Sequence, residues 1–146
     1  MVNNLYSQIE KVKRNEYNHI LIQIGGNDIT HFHNPKESGK ILGEIISKLP
    51  KSNDVTIICC GNVGTSAIMP YLIRPFYTKL SLLYHEEFAK VAKEHGVLYV
   101  NLYDEEKSDP YLLQPEIYLA KDEFHPSTEG YAWWFKKIKN ARSGIQ

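Results

Sequence analysis

The sequence predicts an α/β domain in three layers, a parallel sheet with helices on both faces. Three observations lead there. Short runs of branched apolar residues, such as His19 to Ile24 and Val55 to Cys60, are bounded by glycine and read as strands buried on both faces. Longer segments with apolar residues at helical spacing alternate with them, which is the pattern of strand-helix-strand units. The 146 residues, 42% hydrophobic and 23% charged, fit a single globular domain with a core.

Taken in order, residues 4–15 place Leu5, Ile9 and Val12 on one stripe of a surface helix. The first strand, His19 to Ile24, runs into Gly25-Gly26-Asn27-Asp28. Asn34-Pro35 is a cap followed by proline at the first helical position, and Ile41, Leu42, Ile45, Ile46 and Leu49 form the buried face of a helix that ends before Pro50. A second strand, Val55 to Cys60, opens into the loop Gly61 to Ser66. From Pro75 to His95 the residues Phe76, Leu80, Leu83, Tyr84, Phe88, Val91 and Ala92 keep helical spacing, with Gly96 placed to stop the helix. Val97 to Leu102 is a third strand. The irregular stretch from Tyr103 to Lys121 has the length of a functional loop and room for a short helix between Leu112 and Leu119. Ser127 caps a last helix with Tyr131, Trp134, Phe135 and Ile138 facing inward.

Composition narrows the function. Seventeen basic and seventeen acidic side chains cancel, so no global field draws nucleic acid, and small neutral substrates are the better expectation. No apolar run approaches the roughly 20 residues of a membrane span, and no basic segment followed by an apolar one opens the chain. As given it reads as a soluble cytoplasmic protein, although the sequence does not fix a compartment. Cys59 and Cys60 are adjacent in an apolar run, where a bridge between them would be strained.

Three loops belong at the carboxyl edge of the sheet, where open parallel sheets bind ligands. Lys121 to Ser127 holds Asp122 three residues before His125. An acid so placed orients an imidazole as a general base; the same residues also make an ordinary surface turn. Gly25-Gly26 lets backbone approach a ligand and Asn27 offers an amide donor, or the four residues are a strand-ending turn. The Gly61 to Ser66 loop carries Ser66, but Gly64-Thr65-Ser66-Ala67-Ile68 matches only half of a nucleophile elbow. His31 and His33 alone make a poor metal site.

Together, Gly-x-Asn-Asp after a buried strand, Asp-x-x-His-Pro before the last helix and the strand ending Cys60-Gly61-Asn62-Val63-Gly64 resemble the SGNH (GDSL) hydrolases over nearly the whole chain. The resemblance implies a flavodoxin-like α/β/α sandwich and hydrolysis of ester bonds, in small molecules, lipids or acylated sugars, with no metal and no cofactor. It makes His125 the base, Asp122 its orienting acid, Asn27 an oxyanion donor and Asp28 a structural support, with Gly25, Gly26 and Asn62 against the substrate. An acyl-enzyme route through a serine follows from it.

The family's opening Gly-Asp-Ser strand has no counterpart in residues 1–146. The expectation is therefore a single SGNH-type domain lacking the first two strands, with the nucleophile outside this sequence. Its first strand would present a bare edge suited to pairing with a second copy. A non-catalytic remnant or ligand-binding domain is the alternative, and a metal hydrolase built on His31, His33 and His125 a more distant one.

Overall fold

The computed structural model describes residues 1–11, 17–50 and 54–144. After a 3-10 turn at Val2–Asn4, the elements are α1 (Leu5–Lys11), β1 (His19–Ile24), α2 (Gly26–Thr30), α3 (Pro35–Ser47), β2 (Asp54–Cys59), α4 (Arg74–His95), β3 (Leu98–Val100), α5 (Pro110–Leu113), α6 (Pro115–Tyr118) and α7 (Thr128–Ser143). The strands form one parallel sheet in the order β1-β2-β3, with His19 opposite Asp54, Ile24 opposite Cys59 and Thr56 opposite Leu98. The α/β architecture and its parallel sheet are as the sequence predicts. The part of the first helix that would carry Val12 lies outside the described residues.

The twofold period of a strand sorts β2 between two cores. Val55, Ile57 and Cys59 face a cluster built with Ile22 and Ile24 of β1, Leu42 and Ile45 of α3, and Tyr84 and Phe88 of α4. Ile58 faces the other way, into a cluster with Val100, Leu102, Tyr111, Leu119 and Trp134. β2 is thus buried on both faces from Val55 onward.

β1 departs from expectation. Its Ile22 and Ile24 are buried, whereas Leu21 on the opposite face is 49% exposed and Gln23 is exposed as well. The reason is coverage: the second core packs α7 over β2 and β3, and β1 lies beyond it. Only the last turn of α7 reaches across. There the Arg142 guanidinium donates to Asp54 (2.5 Å), Thr56 (3.0 Å) and His19 (2.9 Å), at the amino ends of β1 and β2.

Two helices bury a different stripe from the one apolar spacing suggests. α4 buries Tyr77, Ser81, Tyr84, His85, Phe88, Val91 and Ala92, leaving Phe76 and Leu83 exposed. Ser81 and His85 belong inside because each has a buried partner: Ser81 accepts the Val63 amide, and His85 Nε2–H donates to the Cys60 carbonyl. α7 buries Gly130 and Trp134, while Phe135 stays 66% exposed and Tyr131 half exposed. The helix ends follow the sequence closely. Asn34 accepts from the Lys36 amide at 2.9 Å, Gly96 closes α4 in the left-handed conformation at φ 65°, and Ser127 accepts the Gly130 amide.

Candidate active site

The carboxyl ends of β1 and β2 and the start of α7 enclose a cavity of about 310 Å³. Gly25, Gly26 and Asn27 come to it from β1, Asn62, Thr65 and Ser66 from the loop after β2, and His125 from the turn before α7. Leu119, Phe124, Tyr111, Tyr131 and Trp134 add apolar surface to its lining. The three loops singled out in the sequence therefore meet in one place, with Asp122 just behind His125.

The histidine turn is built by its own aspartate. Asp122 Oδ1 accepts the amides of Phe124 (3.1 Å) and His125 (2.9 Å), and its Oδ2 accepts from His125 Nδ1 at 2.7 Å. A carboxylate can only accept, so Nδ1 carries the proton and Nε2 is left as the basic nitrogen. The His125 hydrogen bond, followed by the two amides, holds the Asp122 carboxyl at about 2, below its ordinary value. Both side chains are open to solvent, at 63% and 53% exposure. Further bonds close the turn: Ala120 donates to the His125 carbonyl (2.8 Å), and Glu123, in the left-handed region at φ 56°, donates to Ala120 (2.9 Å).

At the end of β1 glycine is obligatory. Gly25 has φ 109°, and a β-carbon there would lie 2.5 Å from Cys59 Sγ. The chain then enters α2, where the Asn27 side chain is exposed and makes no hydrogen bond among the described residues. Asp28 turns inward, fully buried, and its carboxylate accepts the Val2 amide with both oxygens (3.0 and 3.1 Å) while facing His33 Nδ1 at 3.3 Å. His31 Nδ1 lies 2.7 Å from the Asn27 carbonyl. The two histidines are thus tied to the segment that follows β1, and neither lines the cavity that His125 lines.

The loop after β2 is fastened at several residues. Asn62 Oδ1 accepts the Gly64 amide (2.9 Å), and the Thr65 hydroxyl lies 2.7 Å from both the Asn62 carbonyl and the buried Asp109 carboxylate. Burial pushes the Asp109 carboxyl up, with Thr65 and the Tyr111 amide pulling it back. Below, the buried His85 holds the Cys60 carbonyl through Nε2 (2.6 Å) and accepts the Tyr99 hydroxyl on Nδ1. Its desolvation lowers it to about 4, so it is neutral. Cys59 and Cys60 are both free thiols; Cys59 is buried, and burial raises it well above its ordinary value.

Ser66 is not a free nucleophile. It is buried, and its hydroxyl donates to the Glu123 carbonyl at 2.9 Å. Apolar spacing assigns Tyr131 and Trp134 to the inward face of the last helix, and the structure has them lining the cavity as well, one to two turns past Ser127.

The chain is similar to known proteins in sequence pattern and in fold. A model of the GDSL-like lipase/acylhydrolase family matches residues 2–133. Among solved structures, a mutant of Axe2, an acetyl-xylooligosaccharide esterase from Geobacillus Stearmophilus, superposes at a TM-score of 0.70 with 14% identity, over 97% of this chain and 67% of that one. A second structure aligns at 0.49 with 17% identity over 68% of this chain and 50% of its own. No curated protein matches. The first superposition shows a shared fold.

Proposed function

The chain belongs to the GDSL-like lipase/acylhydrolase family, and from that premise we propose that its cavity binds a carboxylic ester and that His125 acts there as general base. The observation that carries this reading is the Asp122–His125 bond of 2.7 Å at the mouth of a cavity that also holds Asn27. Asp122 fixes the tautomer and steadies the imidazolium that forms when Nε2 takes a proton. The free amide of Asn27 is the oxyanion donor, Gly25 and Gly26 let the ester approach the strand end, and Asn62 borders the substrate.

In the acyl-enzyme route a serine hydroxyl gives its proton to His125 as its oxygen attacks the ester carbonyl. The alcohol leaves with that proton, and water, deprotonated in turn by His125, releases the acid. Residues 1–146 contain no Gly-Asp-Ser triplet, and the one serine that lines the cavity among the described residues donates to Glu123. That occupation of Ser66 favours a second reading, a ligand-binding domain with an idle dyad. A cavity of about 310 Å³ stands at the lower end of ligand pockets, roughly 300–1,000 Å³, which suits a short acyl group. An acetylated sugar, the kind of substrate named for the Axe2 structure, fits that size and the aromatic wall. The unpaired edge of β1 is proposed to pair with a second copy.

The test is a fluorophosphonate probe with peptide mapping, beside hydrolysis of p-nitrophenyl acetate by the chain and by His125→Ala. Labelling of a serine, with turnover lost in the variant, supports the esterase. Ester binding without labelling or turnover supports the idle dyad.

A further inference from the structure

We propose that Ser66 is a positioning residue, whose hydroxyl fixes the place of His125 in the cavity by gripping the carbonyl of Glu123. The inference rests on the reading of His125 as the base. It starts from an asymmetry between the two sides of the cavity. The loop after β2 is anchored from several directions, by Ser81 and His85 of α4, by the Asn62 cap and by Thr65 against Asp109. Gly64 is wedged against α4 so closely that a β-carbon there would overlap Thr78 Oγ1. Ser66, 5% exposed, therefore stands on a rigid mount.

The turn that carries the dyad is the opposite case. Its hydrogen bonds from Ala120 to His125 are nearly all internal and set its shape, and outside them Phe124 rests against the first core. Its ends are pinned at the Leu119–Pro126 bridge and by Ser127, which donates to the Ile117 carbonyl at 2.6 Å. Between those ends the Ser66–Glu123 bond is the one side-chain hydrogen bond, among the described residues, that joins the turn to the rest of the cavity. It falls on the residue with φ 56°, two positions before His125. A left-handed non-glycine residue persists only where its surroundings hold it. Releasing the Glu123 carbonyl removes its side-chain tie to the loop after β2 and leaves the turn to its internal bonds and to Phe124, so the exposed imidazole is held less firmly in place.

The experiment uses Ser66→Ala, Ser66→Cys, which keeps the volume with a much weaker donor, and Ser66→Thr, which keeps the hydroxyl. Backbone amide order parameters for residues 121–125 and the His125 Nδ1–H proton signal are read by NMR on each chain. Esterase kcat and KM are read wherever the parent chain turns over. Ser66→Ala should lower the order parameters of the turn and broaden the Nδ1–H signal, and Ser66→Thr should restore both. Where there is turnover, kcat should fall about ten- to a hundredfold at near-constant KM, the scale of a misplaced catalytic group. A turn as ordered in Ser66→Ala as in the parent overturns the proposal. If the alanine variant does not fold, the same comparison in Ser66→Cys decides. Because the NMR readings need no turnover, an idle dyad and a wrong role for Ser66 give different results.

Discussion

At His125 the basic nitrogen is chosen by hydrogen bonding alone, since Asp122 accepts the Nδ1 proton at 2.7 Å and leaves Nε2 free. The same bond depresses the aspartate, and the sign of its pH dependence follows. A carboxyl held at about 2 in the fold, and near 3.9 in an unfolded chain, orders the turn fully above the unfolded value. That ordering is lost as pH falls through about 2. Carbon-13 titration of Asp122 should give a midpoint near 2, and His125→Ala should move it upward, because the histidine is the largest cause of the shift. A second residue prediction concerns Gly25. Its φ is 109°, and an added methyl group would press against Cys59 Sγ at 2.5 Å. Gly25→Ala should therefore cost roughly 1–3 kcal/mol of stability by chemical denaturation. The His-Asp spacing made the dyad legible from sequence, because its partners lie three residues apart. The bond made by Ser66 was not legible, for the opposite reason: its partner Glu123 is 57 positions away.

Among the elements, α4 shows how a polar side chain can hide a buried face. A reading by apolar spacing puts Phe76 and Leu83 inside, yet the helix buries Ser81 and His85, whose partners on the β2 loop and β3 no local pattern discloses. The bounds of β1 and the cap of α3 were legible because they depend on near neighbours in the chain. The open face of β1 was not, because coverage of a strand is decided by where α7 lies. His85 also gives this region a pH dependence. Its folded value of about 4 lies below the unfolded value near 6.5, so its contribution is complete above the unfolded value. Stability should decline as pH falls from there towards 4, by about 3 kcal/mol in all. Urea denaturation at several pH values checks this. His85→Gln, which can still donate to Cys60 and does not titrate, should show a shallower slope; an unchanged slope would remove His85 from the account.

For the whole molecule, the sheet has an edge strand on each side among the described residues, β1 and β3. β1 has β2 as its single strand partner among the described residues, and half-exposed Leu21 lies beside the bare edge. With formal net charge zero there is no net long-range repulsion between copies. Light scattering is expected to report twice the chain mass, and Leu21→Glu to shift the population towards single chains; a stable monomer of the parent refutes the pairing. One further property follows from Arg142. α7 has sixteen residues, which makes it a rod of about 24 Å whose one end adjoins the histidine turn and whose other end is fastened to Asp54, Thr56 and His19. Under tension applied at the carboxyl terminus, load passes first into that guanidinium and from there along the strands. The histidine turn is sheltered from such a load while the fastening holds, so the Arg142 bonds would break before the cavity deformed.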